Sequence, residues 1–339
     1  MRHINIIRWD NGAGLSRTAK IIADVLRNAG CQVTINGVYS LPLTNNLTKF
    51  DRFKRFAYTR YLTLKQSLQL QLMQSLNRLP VYDINIFCEQ VEPMWFPYAR
   101  VNCLVPNQEW FFEQWRPYLS QFDWILCKTK FAQKIFDELG CKTQFISFTS
   151  NDRLLEIPTD YNAFFHLAGR SSQKGTSKVV EVWQRHPEWP KLTVIQNPLK
   201  AQPIAAENIN YINQYLDDTL LRQYQNENGI HLCPSEAEGF GHYIVEAMSC
   251  KGLAITTNAP PMNELVTEER GILVNYSNTQ VQRLGINYYV DPVDLEEKID
   301  KVLGMDWGAK QSLGKNTREW YQQNDRFFKH KLVETIEGI

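Results

Sequence analysis

The chain has 339 residues, 43% hydrophobic and 22% charged, with a net charge of +1. This length exceeds one ordinary hydrophobic core and predicts two domains, and the balanced charge excludes a general nucleic-acid-binding protein. The charge is uneven, however. Residues 1–150 carry 18 Lys/Arg and 11 Asp/Glu, whereas the remainder carries 19 and 25, which predicts an anionic partner for the first half.

The seven cysteines are scattered and contain no CxxC pair, which predicts free thiols in a reducing compartment. The N-terminal apolar run is too short for a signal peptide, and no run reaches the ~18 apolar residues of a spanning helix. We therefore expect a cytoplasmic protein. A peripheral position at the inner face of the membrane stays open.

The chain opens with a predicted βαβ unit. Ile4–Trp9 is expected to be a buried strand, and a helix from Ser16 to about Asn28 follows a glycine-rich loop that ends at Gly14. The loop is not a dinucleotide fingerprint, because Arg17 stands where the third glycine is needed. It is either a tight turn or a loop whose N–H groups face a phosphate or sugar.

Residues 49–65 hold six basic residues and one acid, interleaved with aromatic side chains. As a helix, this segment has two interpretations. It lies in a membrane interface as a basic amphipathic helix, or it is a surface helix whose aromatic residues face the core.

Strands and helices alternate along the rest of the chain, which predicts a doubly wound α/β fold in each half. Polar residues 151–160 are the expected linker. A long polar helix, about Ala309–Glu337, is expected to end the chain. The predicted strands are 83–88, 101–105, 123–127, 144–148, 163–167, 192–195, 209–212, 230–233, 253–256 and 271–275, and the predicted helices are 130–139, 177–184, 217–226, 242–249 and 295–303.

A loop of two cations between glycines follows the first strand of the second half. Arg170 and Lys174 stand between Gly169 and Gly175, where a helix N-terminus and two positive charges would bracket a diphosphate. It is not a P-loop, because the lysine precedes the second glycine.

Two glutamates separated by seven residues follow a later strand. Glu238 lies in a loop at the strand's carboxyl end, and Glu246 lies one turn into the next helix. Ligands bind at the carboxyl ends of open parallel sheets. A helix carboxylate would bind ribose hydroxyls, and the loop carboxylate would bind a sugar hydroxyl. Together with the two cations, they predict a nucleoside diphosphate sugar site.

These motifs resemble the retaining GT-B glycosyltransferases of family 4. The resemblance rests on Gly169-Arg170-x3-Lys174-Gly175, Pro234-Ser235, Glu238-Gly239-Phe240-Gly241, Glu246-Ala247-Met248 and Glu264, within residues 163–275. It implies a GT-B fold, two doubly wound Rossmann-like domains that face a central cleft. The implied domains are 1–150 for the acceptor, 151–315 for the nucleotide sugar, and a C-terminal helix, 316–339, that packs back on the first domain.

The resemblance also implies roles for individual residues. Arg170 and Lys174 would hold the leaving diphosphate, Glu238 the donor sugar and Glu246 the ribose. Two features depart from the family's usual pattern. His242 replaces an apolar residue, and a proline-rich loop, 259–263, replaces a glycine-rich one. The further residues expected at the donor are Gly14, Gly169, Asn197, Gly239, Phe240, Gly241 and His242.

The expected function is retaining sugar transfer from a nucleoside diphosphate sugar to a glycan or lipid-linked acceptor in polysaccharide or glycolipid synthesis. Neither an Asp-x-Asp motif nor a His/Cys cluster is present, so we expect no metal and no cofactor. Two alternatives stay open. One is an epimerase or phosphorylase of the same fold, and the other is a non-catalytic sugar-nucleotide-binding protein.

Overall fold

The computed structural model describes residues 1–9, 14–38, 65, 68, 71–76, 78–201, 203 and 206–339. In these residues the strands form two six-stranded sheets and one two-stranded sheet. Most of the glycine loop before Gly14 and all but the last residue of 49–65 lie outside the described residues, so both predictions there stay predictions.

The first sheet is parallel and takes the order β2-β1-β3-β4-β5-β6. Ile84–Cys88 is buried without interruption, as expected of a parallel strand that is covered on both faces. The strands are β1 His3–Trp9, β2 Gln32–Val38, β3 Tyr82–Cys88, β4 Ala99–Val105, β5 Trp124–Cys127 and β6 Thr143–Phe145.

The second sheet repeats this design in the order β12-β11-β10-β7-β8-β9, again with all strands parallel. Its central strand β10 is buried at all six positions. The strands are β7 Asp160–Gly169, β8 Leu192–Gln196, β9 Ile209–Ile212, β10 Asn228–Cys233, β11 Leu253–Thr257 and β12 Gly271–Val274.

The helices cover both sheets. In the first of them, Ala19, Ile22, Ala23 and Leu26 are all fully buried, in agreement with their spacing along one face of a helix. The helices are α1 Gly14–Asn28, α2 Lys130–Glu138, α3 Thr176–Arg185, α4 Asp218–Glu227, α5 His242–Ser249, α6 Met262–Leu265, α7 Pro292–Leu303 and α8 Trp307–Gly338.

Some elements were not predicted from the sequence. Residues between β3 and β4 form the 3-10 helix Pro93–Tyr98. Proline suits its first position, because proline fixes a helical φ and no backbone N–H donor is needed there. An antiparallel hairpin, β13 Tyr276–Gln282 and β14 Gly285–Val290, was missed altogether. Almost all of β13 is exposed, so it lacks the apolar alternation that identifies a half-buried strand.

The last helix, α8, connects the two halves of the chain. It begins at Trp307, two residues before the predicted start. Asn324 accepts a 2.6 Å hydrogen bond from Ser147 and donates one of 2.6 Å to the Phe148 carbonyl. Phe328 packs on Phe148 with 4.6 Å between ring centroids. The division into domains at residues 150 and 315 stays a prediction.

One hydrophobic cluster contains residues from both halves of the chain, including Ile86, Phe148, Phe240 and Phe328. The outer faces of the two sheets have separate clusters. Because the central cluster continues from one half to the other, the halves are held against each other by apolar burial as well as by polar contacts.

All seven cysteines are free thiols, and five of them are buried. This confirms the expectation of unpaired cysteines. In the described part of the chain, no helix is both long and apolar enough to cross a bilayer.

Phe328 and its neighbour Phe327 provide a test of the α8 packing. Phe328 is fully buried and Phe327 is 46% exposed. We expect Phe328→Ala to lower the free energy of unfolding by about 3–5 kcal/mol, because it leaves a cavity. The matched Phe327→Ala should cost about 0.5 kcal/mol. Urea unfolding of both variants measures this, and equal losses would contradict the described packing.

Candidate active site

The candidate site lies where two neighbouring central strands end. Strand order changes direction between β7 and β10, which are paired. The loop 169–175 follows β7, and the loop 234–241 follows β10. Such a switch point leaves a crevice at the carboxyl ends of the strands, where open α/β sheets bind ligands. The structure therefore brings both predicted motifs to one place.

The Lys174 ammonium and the Glu238 carboxylate form an ion pair in this crevice. Their side chains are only 15% and 13% exposed. Ser235 donates a 2.5 Å hydrogen bond to the same carboxylate oxygen, and the ammonium lies 3.5 Å from the centroid of the Tyr243 ring. Because both charged groups are largely removed from water, each needs a charged partner, and a ligand that supplies a competing charge could replace one of them. Ser235 and Tyr243 thus fix the position of both charged groups.

Two glycines make this arrangement possible. Gly175 has a φ of +65°, and a Cβ there would overlap the carbonyl oxygen of Pro234. At Gly239 a Cβ would overlap the amide of Asn107, which belongs to the opposite half of the chain. A larger residue at 175 would push the two loops apart, because it would meet backbone. At 239 it would displace the Asn107 side chain, so the position of Asn107 depends on Gly239.

Glu246 is buried on α5 and is held from two directions. Arg17 of α1 forms an ion pair with one of its oxygens, and Gln225 donates a 3.1 Å hydrogen bond to the other. Gln225 is itself fixed by a 2.8 Å bond from Arg153. The carboxylate predicted to bind ribose is thus already hydrogen bonded, so a ligand there would have to exchange with Arg17.

His242, the first residue of α5, is half-buried and lies between the two halves. Its Nδ1 is 2.7 Å from the Ser150 hydroxyl and its Nε2 is 3.5 Å from the Thr18 hydroxyl. Burial holds the pKa of His242 well below its usual range, and nearby cations, Arg17 first among them, lower it further. It therefore acts as a neutral imidazole that connects the halves by hydrogen bonds.

The remaining predicted residues are distributed less tightly. Gly169 has a φ of +56°. Its carbonyl accepts a 2.8 Å hydrogen bond from the backbone N–H of the half-buried Asn197. Arg170 is exposed, and no ion-pair partner for it is found among the described residues. Gly241, the residue directly before α5, has a φ of +103°. The remaining two are Gly14, the first residue of α1, and Phe240, which is 2% exposed and packs on Phe148.

The opposite wall of the crevice was not predicted. Lys128, directly after β5, forms a buried 3.1 Å ion pair with Glu89, directly after β3, and it also contacts Asn107. Gln108 donates a 2.8 Å bond to the backbone carbonyl of Glu238. These residues could have been suspected from the sequence because they follow buried strands. The sequence does not show, however, which strand ends lie next to each other.

Glu109 is the most unusual group on this wall. Its side chain is 4% exposed, and burial raises its pKa to about 8. The charges of Glu238 and Glu89 raise the pKa further, while Lys128 lowers it. Glu109 is therefore largely a neutral carboxylic acid at pH 7, since this pKa lies above the ambient pH.

Glu264, the last glutamate of the motif set, bridges the halves at another point. Its two oxygens accept 2.7 Å bonds from the backbone N–H groups of Lys130 and Phe131. These are the first residues of α2, where a carboxylate is stabilised by the helix dipole. In this structure Glu264 thus caps a helix of the first half.

Among the residues described, no three His, Cys, Asp or Glu side chains come together as a metal site requires. The expectation that neither a metal nor a cofactor takes part stays a prediction.

The comparison with solved structures gives full-length matches. A glycosyltransferase from Rickettsia africae ESF-5 superposes with a TM-score of 0.68 at 16% identity, covering 98% of this chain and 97% of that chain. Sucrose-phosphate synthase from Thermosynechococcus elongatus gives 0.71 at 13% identity, covering 100% and 99%. HepE from Anabaena, in complex with UDP and glucose, gives 0.71 at 13% identity, covering 100% of both chains.

At these identities the similarity concerns the fold, and it confirms the GT-B prediction. No curated protein matches the sequence significantly. The model of the family described as "Glycosyl transferases group 1" matches residues 147–320, which is more than half of the 339 residues. This chain belongs to the glycosyl transferases group 1 family.

Proposed function

We propose that the protein is a retaining glycosyltransferase that moves a sugar from a nucleoside diphosphate sugar to a glycan or lipid-linked acceptor. One observation carries this proposal, the Lys174–Glu238 ion pair at the meeting of β7 and β10. It places a cation suited to a diphosphate beside a carboxylate suited to a sugar hydroxyl. A donor with both groups would satisfy the two charges together.

Properties of the structural relatives suggest which donor to test first. HepE was also solved in complex with UDP-glucose, and an E. coli relative was solved with UDP-2-fluoro glucose bound. These ligands belong to those proteins. They make UDP-glucose the first candidate for this chain, with GDP- and ADP-glucose beside it.

Different predicted residues would bind different parts of the donor. Lys174 would leave Glu238 to bind the diphosphate, and exposed Arg170 would turn toward it from the same loop. Glu238, still fixed by Ser235, would accept from a sugar hydroxyl. Glu246 would exchange Arg17 for the ribose hydroxyls. Gly14, Gly169, Gly239, Phe240, Gly241, His242 and Asn197 would line the rest of the donor pocket.

The proposed transfer retains the anomeric configuration. The bond between the anomeric carbon and the phosphate oxygen breaks, and its electron pair stays on the diphosphate. The acceptor oxygen forms its bond on the same face, and its proton passes to the leaving phosphate. Lys174 and Arg170 would stabilise the charge on that leaving group, so no metal is needed. Charge stabilisation and positioning would thus carry the catalysis.

We further propose that residues 1–150 bind the acceptor and that residues 151–315 bind the donor. The excess of Lys and Arg in the first half supports an anionic acceptor, such as a lipid-linked glycan, at the inner face of the membrane. Polysaccharide or glycolipid synthesis in the cytoplasm would supply such an acceptor.

Replacing Lys174 tests the proposal. We expect Lys174→Ala to reduce kcat by about 100- to 1,000-fold, because one group that stabilises developing charge is worth that much. The donor is first chosen as the sugar nucleotide that raises the melting temperature of the wild type most. Release of nucleoside diphosphate from that donor is then measured with and without glycan acceptors.

Lys178→Ala is the matched control, because Lys178 is exposed on the adjoining helix and pairs only with Glu181 among the described residues. It should keep full activity. The mechanism is wrong if Lys174→Ala and Arg170→Ala both retain wild-type rates. Conversion of the donor without acceptor and without nucleotide release would indicate an epimerase, and absence of any turnover would indicate a binding protein.

The proposed membrane contact of residues 49–65 has its own test. Replacing Arg52, Lys54 and Arg55 by glutamine should prevent flotation with phosphatidylglycerol vesicles, since each basic residue near an anionic surface contributes about 1 kcal/mol. Wild-type protein should float at low salt. The control replaces three exposed lysines elsewhere, Lys134, Lys315 and Lys329, and should float as well. Failure of the wild type to float would refute the contact.

A further inference from the structure

Two neighbouring side chains on the unpredicted wall of the crevice have buried polar atoms without partners. Gln108 and Glu109 form a short 3-10 helix with Trp110 immediately after β4, and they are 1% and 4% exposed. In the described part of the chain, neither Oε1 of Gln108 nor Oε2 of Glu109 has a hydrogen-bond partner. A buried polar atom left this way costs about 1–3 kcal/mol, so each such atom needs an explanation.

The cations around Glu109 make their hydrogen bonds to other groups. Lys128, whose charge acts on the Glu109 carboxyl, is bonded to Glu89 and Asn107. Arg283, at the tip of the β13–β14 hairpin, donates a 3.3 Å bond to the Glu109 backbone carbonyl, not to its side chain. Oε2 of Glu109 is therefore left without a hydrogen-bond partner among the described residues.

The hairpin also fixes the position of Glu109 from the other half of the chain. The guanidinium of Arg283 lies 4.8 Å from the Trp110 ring centroid and 4.1 Å from that of Phe112. A Cβ on Gly285 would lie 3.2 Å from the Glu109 Cβ. Because the hairpin packs this closely, Glu109 cannot swing toward that side to reach water.

Glu109 belongs to the same crevice as the proposed donor site. Its neighbour Gln108 donates to the Glu238 backbone carbonyl, and the charge of Glu238 acts directly on the Glu109 carboxyl. Glu238 is the proposed sugar-binding carboxylate of the second half. Gln108 therefore contacts the loop that carries the proposed sugar-binding carboxylate, and Glu109 is its neighbour in the chain.

We propose that Glu109 binds the transferred sugar directly, donating a hydrogen bond from its carboxylic acid to a hydroxyl oxygen on the side opposite Glu238. The same hydroxyl, or its neighbour on the ring, donates to Oε1 of Gln108. A sugar hydroxyl is both donor and acceptor, so it satisfies both orphaned atoms. This assignment rests on the proposed function and adds a sugar-specificity pair to it.

The protonation state of Glu109 supports the role. Burial raises its pKa to about 8, so the acid is the main form at neutral pH. The groups that face it are Lys128, Glu89 and Glu238, with Arg283 on its backbone. Only the acid form donates a hydrogen bond, as with other buried carboxylic acids kept neutral for that purpose. Above pH 8 the carboxylate has lost that proton and repels Glu238.

The experiment compares the affinity for a sugar nucleotide with that for the bare nucleotide. Calorimetry is done with UDP-, GDP- and ADP-glucose and with UDP, GDP and ADP, on the full chain. At pH 7, Glu109→Ala should bind the wild type's preferred sugar nucleotide about tenfold more weakly, the value of one hydrogen bond. Its affinity for the bare nucleotide should not change. Glu109→Gln, which keeps a donor, should bind like the wild type.

The pH dependence gives a second measurement. From pH 7 to pH 9 the acid form falls about tenfold for a pKa of about 8, so the wild type should lose about tenfold in affinity for the sugar nucleotide. Glu109→Gln should lose nothing over this range. Exposed Glu113, 78% exposed in the same segment, provides the control variant Glu113→Gln, which should keep the wild-type profile.

Each outcome decides the matter. The inference is wrong if Glu109→Ala binds the sugar nucleotide as tightly as the wild type. It is also wrong if Glu109→Gln binds as weakly as Glu109→Ala, and that result would show that residue 109 acts as a carboxylate instead. If Glu109→Ala does not fold, the isosteric glutamine variant and the pH profile still decide. If the wild type binds none of the sugar nucleotides, the proposed function itself fails.

Discussion

The two walls of the crevice are joined by a close contact between the two halves of the chain at Gly239. Because this residue has no side chain, Asn107 of the first half lies directly against its backbone. Asn107 in turn contacts Lys128, which pairs with Glu89. Gln108 reaches the Glu238 carbonyl from the next position. One missing Cβ thus allows a continuous set of polar contacts from the first sheet to the second, and these contacts position the charged groups of both walls.

The same closeness means that the functional groups are already engaged with one another. Lys174 pairs with Glu238, and Arg17 pairs with Glu246. Buried charges need partners, because an unpaired one costs several kcal/mol. Ligand binding on the proposed scheme is therefore an exchange of partners, in which phosphate replaces Glu238 at Lys174 and ribose replaces Arg17 at Glu246. Affinity would reflect the difference between the two sets of contacts.

Sequence reasoning reached the architecture because parallel strands are continuous apolar runs that end at glycine, proline or polar residues. The ends of β9 and α5 agree with the prediction to the residue. It also located Lys174 and Glu238, since both follow central strands. It missed the partners from the opposite half. In the sequence Arg17 stood out only because it occupies the place of a glycine, yet it pairs with Glu246, 229 positions further along the chain. No periodicity encodes which loops meet, and the polar strand β13 left no apolar pattern to detect.

The contact between Glu264 and the N-terminus of α2 has a consequence for folding. The hydroxyl oxygen of Thr129 accepts one bond from the N-terminal turn of α2, that of the Ala132 N–H. Among the described residues, only Glu264 of the second half caps the N–H groups of Lys130 and Phe131. A capping interaction is worth about 0.5–2 kcal/mol. The first turn of α2 is therefore complete only after the second half has docked. Docking of the two halves and capping of this turn therefore occur together, and separating the halves would remove both Glu264 bonds from it.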